Sequence, residues 1–487
     1  MKDFLKNKTF IVYGIAIIFL IVNALFVVKE NYFFNLLPFL IAIVFLAFLV
    51  LDKLLYIVIF LAPLSIPLRE IIPSISNDIS LPIEPLLFGI LLIVIFKLIF
   101  EKTIDKKILF HPVSLAISFN IIWLLVTSIT STMPIVSFKY LISRLWYLAS
   151  FYLLAAHLFK NYKNIYKYFW LYISTFVIVI FYTLYQHSKY GFFDQKAANF
   201  VVSPFLPDHT SYAAIIAMLL PFVIGIFSLS RISKQQKVWM AIVLIILAVG
   251  MIFSYTRAAW IGIVGAIGIY FIMLFRIKFK IVFGIGILLI GMFFAFQSQI
   301  LLILEQNNQE SSDNFSEQIK SMSNISTDAS NLERINRWNS ALRMFQDKPI
   351  FGFGPATYMF QYAPYQFSYE KTIISTNSGD GGNAHSEYLG PLAESGILGS
   401  LSFILIIIIT SYTAIKIYSK NNKYEIRLLA MLMFLGLITY YLHGILNNFL
   451  DIDKTSALFW GYTAVIVALD VYHNQPIEQS NNNADIH

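Results

Sequence analysis

Arginines at helix boundaries, one histidine after a glycine-rich turn, and a few carboxylates near both are the side chains placed to do chemistry. Ser254-Tyr255-Thr256-Arg257-Ala258-Ala259-Trp260 puts Arg257 between two apolar stretches with almost no loop. A guanidinium there is costly unless it snorkels to the interface or meets an anion, and its planar fork suits a diphosphate. Arg334 and Arg337 are three residues apart on a segment of helical spacing, so they share one side of it. Glu333 precedes Arg337 by four residues, the favourable order for a helical ion pair, which supplies Arg337 with a structural partner. Arg334 is then the better ligand candidate, with a solvated surface arginine as the plain alternative for each.

His385 stands in Gly382-Asn383-Ala384-His385-Ser386-Glu387-Tyr388-Leu389 and shares a helical face with Leu389 and Leu392. The ordinary reading of such a histidine is a packed, hydrogen-bonded side chain. The sharper one is a general base, since imidazole takes a proton from a sugar hydroxyl near neutral pH. Glu387 and Glu394 are available to orient it, and either is a candidate base itself. Pro207-Asp208-His209-Thr210 opens an apolar span, so Asp208 and His209 are candidate substrate contacts. His443 with Asn447, Asn448, Asp451 and Asp453 closes another span. An Asp-x-Asp pair beside a histidine invites a metal, but it equally suits a polar helix end, and no metal is assigned. Gly352-Phe353-Gly354-Pro355 reads as a turn, because no strand precedes it to form a phosphate-cradling loop.

The elements that must position these residues are membrane-spanning helices. Of 487 residues 58% are hydrophobic and only 13% charged, a balance that a soluble surface of this size does not tolerate. Hydrocarbon is about 30 Å thick, so each crossing takes about 20 apolar residues in a helix whose backbone satisfies itself. Such runs fall near 9–28, 33–51, 54–68, 84–100, 112–130, 138–159, 165–186, 210–230, 237–255, 258–275, 280–298, 396–415, 426–446 and 455–472. The stretch from Thr9 to Val28 has the basic flank of a signal sequence and the length of a retained anchor. The expected fold is all-α, a polytopic transmembrane helical bundle of about 12–14 spans with one large, partly helical loop. Its expected divisions are helices 1–11 over 1–298, the loop over 299–395, helices 12–14 over 396–472, and a polar tail over 473–487.

With both termini cytoplasmic, the inside turns collect about twenty Lys and Arg and the short outside loops about six, as the positive-inside rule requires. The net charge of +8 is therefore topological and implies no nucleic acid. The absence of cysteine excludes disulfides, thiolate nucleophiles and cysteine metal sites. The long loop lies outside. Its first part, Glu305 to Asp328, is too polar to pack and reads as a tether. Ser330 and Glu333 form a capping-box pattern, and Ile335, Trp338, Leu342 and Phe345 follow at helical spacing until Lys348-Pro349, which predicts an amphipathic helix near the membrane surface. A transporter is the rival class, but the charges nearest mid-membrane are only Lys139 and Arg144.

The order of these segments resembles the O-antigen ligase and polymerase (WaaL/Wzy) family of bacterial envelopes. The matching stretches are Ser254-Tyr255-Thr256-Arg257, Arg334-Ile335-Asn336-Arg337-Trp338 running to Pro349-Ile350-Phe351-Gly352-Phe353-Gly354, and His385-Ser386-Glu387-Tyr388-Leu389 with Glu394-Ser395-Gly396-Ile397-Leu398-Gly399. They cover about residues 200–450, whereas the first 190 match only in being hydrophobic. The resemblance implies a GT-C-like, metal-independent glycosyltransferase without a cofactor in the bacterial inner membrane, with a periplasmic active site. It implies an undecaprenyl diphosphate-linked glycan as donor, and lipid A core, another glycan or, in a third branch, a protein as acceptor, all among membrane lipids. Residues at the positions of Arg257 and Arg334 contact the donor diphosphate in that family, and one at His385 activates the acceptor hydroxyl. Many members have Asn where Ser386 stands, which implies a difference in acceptor contacts more than in the base.

Overall fold

In the computed structural model the described residues are 2–28, 51–72, 79–101, 104–229, 232–277, 284, 329–372, 375–376 and 382–474. The expected spans over 33–51 and 280–298, the tether and the tail beyond 474 lie outside them. The chain divides into two compact units, Met1–Leu55 and Tyr56–His487. The first holds α1 (Lys2–Val28), where the first span is expected.

Among the described residues, ten helices are long and apolar enough to cross a membrane. They are α3 (Ile83–Glu101), α4 (Pro112–Ile129), α5 (Pro134–Leu158), α6 (Lys163–Ser188), α7 (His209–Phe227), α8 (Lys234–Ile252), α9 (Arg257–Leu274), α11 (Leu389–Lys420), α12 (Tyr424–Leu446) and α13 (Asp453–Tyr472). The chain is thus a polytopic helical bundle, and each of the ten coincides with an expected span. Within the span expected over 54–68, the described part of α2 (Leu51–Leu61) ends at Leu61. Pro63 cannot continue the ladder, and the chain turns into β1 (Ile66–Pro67), paired antiparallel with β2 (Ser80–Leu81).

Burial sorts the bundle. In α12 and α13, 83% of the apolar window is buried, against 22% in α8 and 28% in α9. The first pair forms the middle, and α12 packs against α7, α9, α11 and α13. A helix apolar on every side tolerates that position. At the α9–α12 crossing a Cβ on Gly262 would stand 2.6 Å from the Thr439 carbonyl oxygen, so only glycine allows the approach.

Two features bring the loop over the bundle. Helix α11 is broken at Gly396, whose φ of 67° is left-handed, so its long run begins where the twelfth span is expected and residues 389–395 form a short preceding helix. A Cβ on Gly396 would lie 2.0 Å from the Ile350 carbonyl oxygen, and the Ile397 N–H donates to the Pro349 carbonyl at 2.9 Å. The loop's own helix is α10 (Ala329–Asp347), at the predicted place. Its predicted face is corrected. The packed side carries Glu333, Asn336, Arg337, Ser340, Ala341 and Met344, while Leu332 and Leu342 are exposed. Polar groups pack inward against the following segment, which supplies partners: Asn336 donates to Gln366 at 2.8 Å, and Arg343 forks onto Glu370 at 2.6 and 2.7 Å. Ser330 lies inside the helix, and the Glu333 carboxylate accepts from Arg337 and Thr372.

Candidate active site

The site is built from helix ends that meet at one end of the bundle. Helix α7 starts at His209 behind Asp208, whose Oδ1 accepts from the Ser211 N–H and the Thr210 hydroxyl, both at 2.7 Å. Asp and Thr preferences at an N-cap explain why this polar tetrapeptide opens the span. Helix α9 starts at Arg257, after a turn in which Tyr255 takes a φ of 51° and donates its hydroxyl to the Phe192 carbonyl at 2.7 Å. His209 Nδ1 donates to the Ser254 carbonyl at 2.6 Å, and the Thr256 hydroxyl donates to the His209 carbonyl at 3.2 Å. Two positively polarised helix starts therefore lie side by side, with Arg257 on the first turn of one.

Helix α10 brings Arg334, whose Nε donates to the Leu446 carbonyl at 3.2 Å. That carbonyl ends α12, where a helix carries partial negative charge. Burial, and then the charge of Arg257, hold the Arg334 guanidinium below its ordinary value, with Asp208 acting in the opposite sense. Trp338, one turn further along the face of Arg334, reaches the His385 carbonyl from Nε1 at 3.5 Å. His385 has a left-handed φ of 46°, a rare conformation held here by Asn383, whose Oδ1 accepts the His385 N–H at 3.0 Å. Its imidazole is pushed down to about 4 by burial and then by the charges of Arg334 and Arg337, with Asp208 opposing. Arg257, Arg334, His385, Asp208 and His209 thus share one electrostatic neighbourhood.

Residues 242–404 match the family model described as O-antigen ligase. This stretch is an O-antigen ligase family domain. It contains Arg257, Arg334 and His385, while Asp208 and His209 precede it and His443 follows it. No curated protein matches the chain. With its ten apolar helices, the chain is a polytopic helical membrane protein that carries this O-antigen ligase match over 242–404.

The other residues around this ligase-family domain serve as its frame. Arg337 is buried, paired with Glu333 at 2.6 Å and placed over the Tyr362 ring at 4.3 Å. Glu387 Oε1 accepts from the Tyr440 hydroxyl at 2.6 Å and from the Phe449 and Leu450 N–H groups at 2.8 and 2.9 Å. Burial, and then the charge of Asp451, push its carboxyl up to about 7. Glu394 accepts the Tyr358 N–H at 3.0 Å, and its own carbonyl accepts the Gly354 N–H at 2.7 Å. Among the described residues no bond joins either carboxylate to the His385 imidazole, and both hold loops. Ser386 accepts from the Tyr388 and Leu389 N–H groups, each at 3.3 Å, and so starts α11.

The Asp-x-Asp pair divides. Asp451 meets Arg144 at 3.1 Å, and Asp453 meets Lys454 at 3.3 Å and bonds with Ser65. Sequence reasoning left Arg144 without a role at the site. Its Nη1 donates to the Leu450 carbonyl at 3.4 Å, tying α5 to the loop that Glu387 also holds. A charge inside an apolar span was the available signal. A cavity of about 410 Å³ opens beside His385, lined by Trp338, Ser386, Tyr388, Leu389 and Ile445.

Proposed function

We propose that this protein transfers a glycan from an undecaprenyl diphosphate carrier to an acceptor sugar, in the manner of an O-antigen ligase, at the extracytoplasmic side of the inner membrane with both termini in the cytoplasm. One observation carries the reading: within the matched stretch Arg334 lies close enough to feel the charge of Arg257, and His385 that of Arg334, across 128 residues of chain. In this reading the two guanidiniums and the starts of α7 and α9 hold the diphosphate. The cavity beside His385, with its aromatic and aliphatic lining, accommodates an apolar segment next to the charged group.

The step balances as a direct displacement. An acceptor hydroxyl oxygen attacks the anomeric carbon, its proton passes to a ring nitrogen of His385, and the bond from that carbon to the phosphate oxygen breaks with its electron pair on the diphosphate. Negative charge grows on the departing oxygen, so cations already in place stabilise the transition state more than the bound donor. His385 is neutral at physiological pH, as a base must be. A value near 4 makes it a weak base, and the negative charge of a diphosphate beside Arg334 raises it.

Removal of the gene and electrophoresis of envelope polysaccharide test this assignment. Core lipid without any O-chain is the expected result. Core with a single repeat would assign the same donor chemistry to a polymerase, and an unchanged profile would overturn the reading.

A further inference from the structure

His443 is buried on the last turn of α12, near the Leu446 carbonyl that Arg334 bonds, and has no place in the scheme above. It is 1% exposed, three residues before Leu446 and next to Gly444, whose carbonyl accepts the Glu387 N–H at 2.8 Å. Asn447 Nδ2 donates to its Nε2 at 3.1 Å. An amide NH₂ only donates, so Nε2 is the acceptor and the neutral ring carries its proton on Nδ1. Among the described residues that Nδ1 has no hydrogen-bond partner, and a buried donor left unpaired weakens a fold. The charged and titratable groups that reach this ring are Asp208, Arg334 and His209. Asp208 Oδ1 already accepts two bonds at the start of α7, and His209 Nδ1 is committed to the Ser254 carbonyl. A phenylalanine or leucine would fill the place without an unpaired polar atom, as the apolar interior of α12 does elsewhere.

We infer that His443 is a further donor-binding residue, whose Nδ1–H bonds a phosphate oxygen of the polyprenyl diphosphate held by Arg257 and Arg334. The inference rests on the proposed donor reading and adds a neutral hydrogen-bond donor to its two cations. A bond from N–H to an oxyanion strengthens as the leaving group gains charge, so His443 grips the product diphosphate harder than the glycosylated donor.

The test is equilibrium binding of farnesyl diphosphate to the full-length protein in detergent, with farnesol as the uncharged control. His443→Phe is expected to weaken farnesyl diphosphate binding on the order of tenfold and leave farnesol unchanged. His443→Asn keeps an N–H near the position of Nδ1 and is expected to bind like wild type, whereas His443→Gln, which does not, weakens binding like Phe. Without ligand, the thermal midpoint of the Phe variant stays level or rises; a lowered midpoint with unchanged affinity would mark a purely structural histidine and overturn the inference. If the Phe variant does not fold, equal binding by the Asn and Gln variants overturns it alone. Arg334→Ala separates the two levels: wild-type binding there sinks the donor reading itself, while weakened binding there with full binding in every His443 variant sinks only this inference.

Discussion

A left-handed backbone at His385, an Arg334 that feels the charge of Arg257, and two carboxylates bonded to backbone N–H groups frame the proposed chemistry at the scale of single residues. Burial and the charges of Arg334 and Arg337 keep the imidazole unprotonated well below neutrality. The pH profile follows with a definite sign. A base works only when deprotonated, and kcat/KM reports the free enzyme, so kcat/KM is expected to stay level from pH 8 down to about 5 and to fall below the value near 4. The acid limb of kcat reports the donor complex, where diphosphate charge raises the group, and is expected at higher pH. Steady-state rates across pH check this, and an acid limb of kcat/KM near 6.5 would contradict the lowering of His385 by burial and the neighbouring arginines. The three residues were legible because an arginine at a span boundary and a histidine after a glycine turn stand out against an apolar chain. The roles of Glu387 and Glu394 were not, since their partners are backbone N–H groups at 449, 450 and 358, which leave no mark in side-chain pattern.

Among elements, the broken helix α11 holds the loop that carries His385 in register with the bundle. Gly396→Ala would put a methyl group against the Ile350 carbonyl and force a non-glycine residue into left-handed backbone, a strain of about 1–2 kcal/mol before any clash. The expected outcome is a lower thermal midpoint in detergent together with lost transfer. Gly268→Ala, where nothing lies within 4 Å of the added carbon, is the matched control and is expected to change neither. The start of the long run at Gly396 was readable from glycine followed by apolar residues. The preceding turns at 389–395 were not, because they are too short for periodicity and are fixed by docking of the 349–358 segment. The packed face of α10 was misread for a related reason: Gln366 and Glu370, remote in sequence, supply the partners that let polar side chains point inward.

Across the whole molecule, the starts of α5, α7, α9 and α13 and the ends of α4, α6, α8 and α12 gather at the site, while Lys416 and His111 meet Asp470 at the opposite end. Hydropathy alone made the bundle legible, because hydrocarbon demands long helices and little else. Packing order was not, as lipid-facing and central helices are equally apolar in sequence, and only small-residue crossings such as Gly262 distinguish them. Arg144 shows the same limit: it lies outside the ligase-family domain, yet it helps hold the loop after α12. The most direct measurement is glycan transfer by the purified full-length enzyme from an undecaprenyl diphosphate-linked donor. His385→Ala is predicted to lower kcat on the order of 10²–10⁴-fold, and Arg257→Ala and Arg334→Ala on the order of 10²–10³-fold, with each variant still folded. Transfer at the wild-type rate by the His385 variant, or by both arginine variants, would contradict the account.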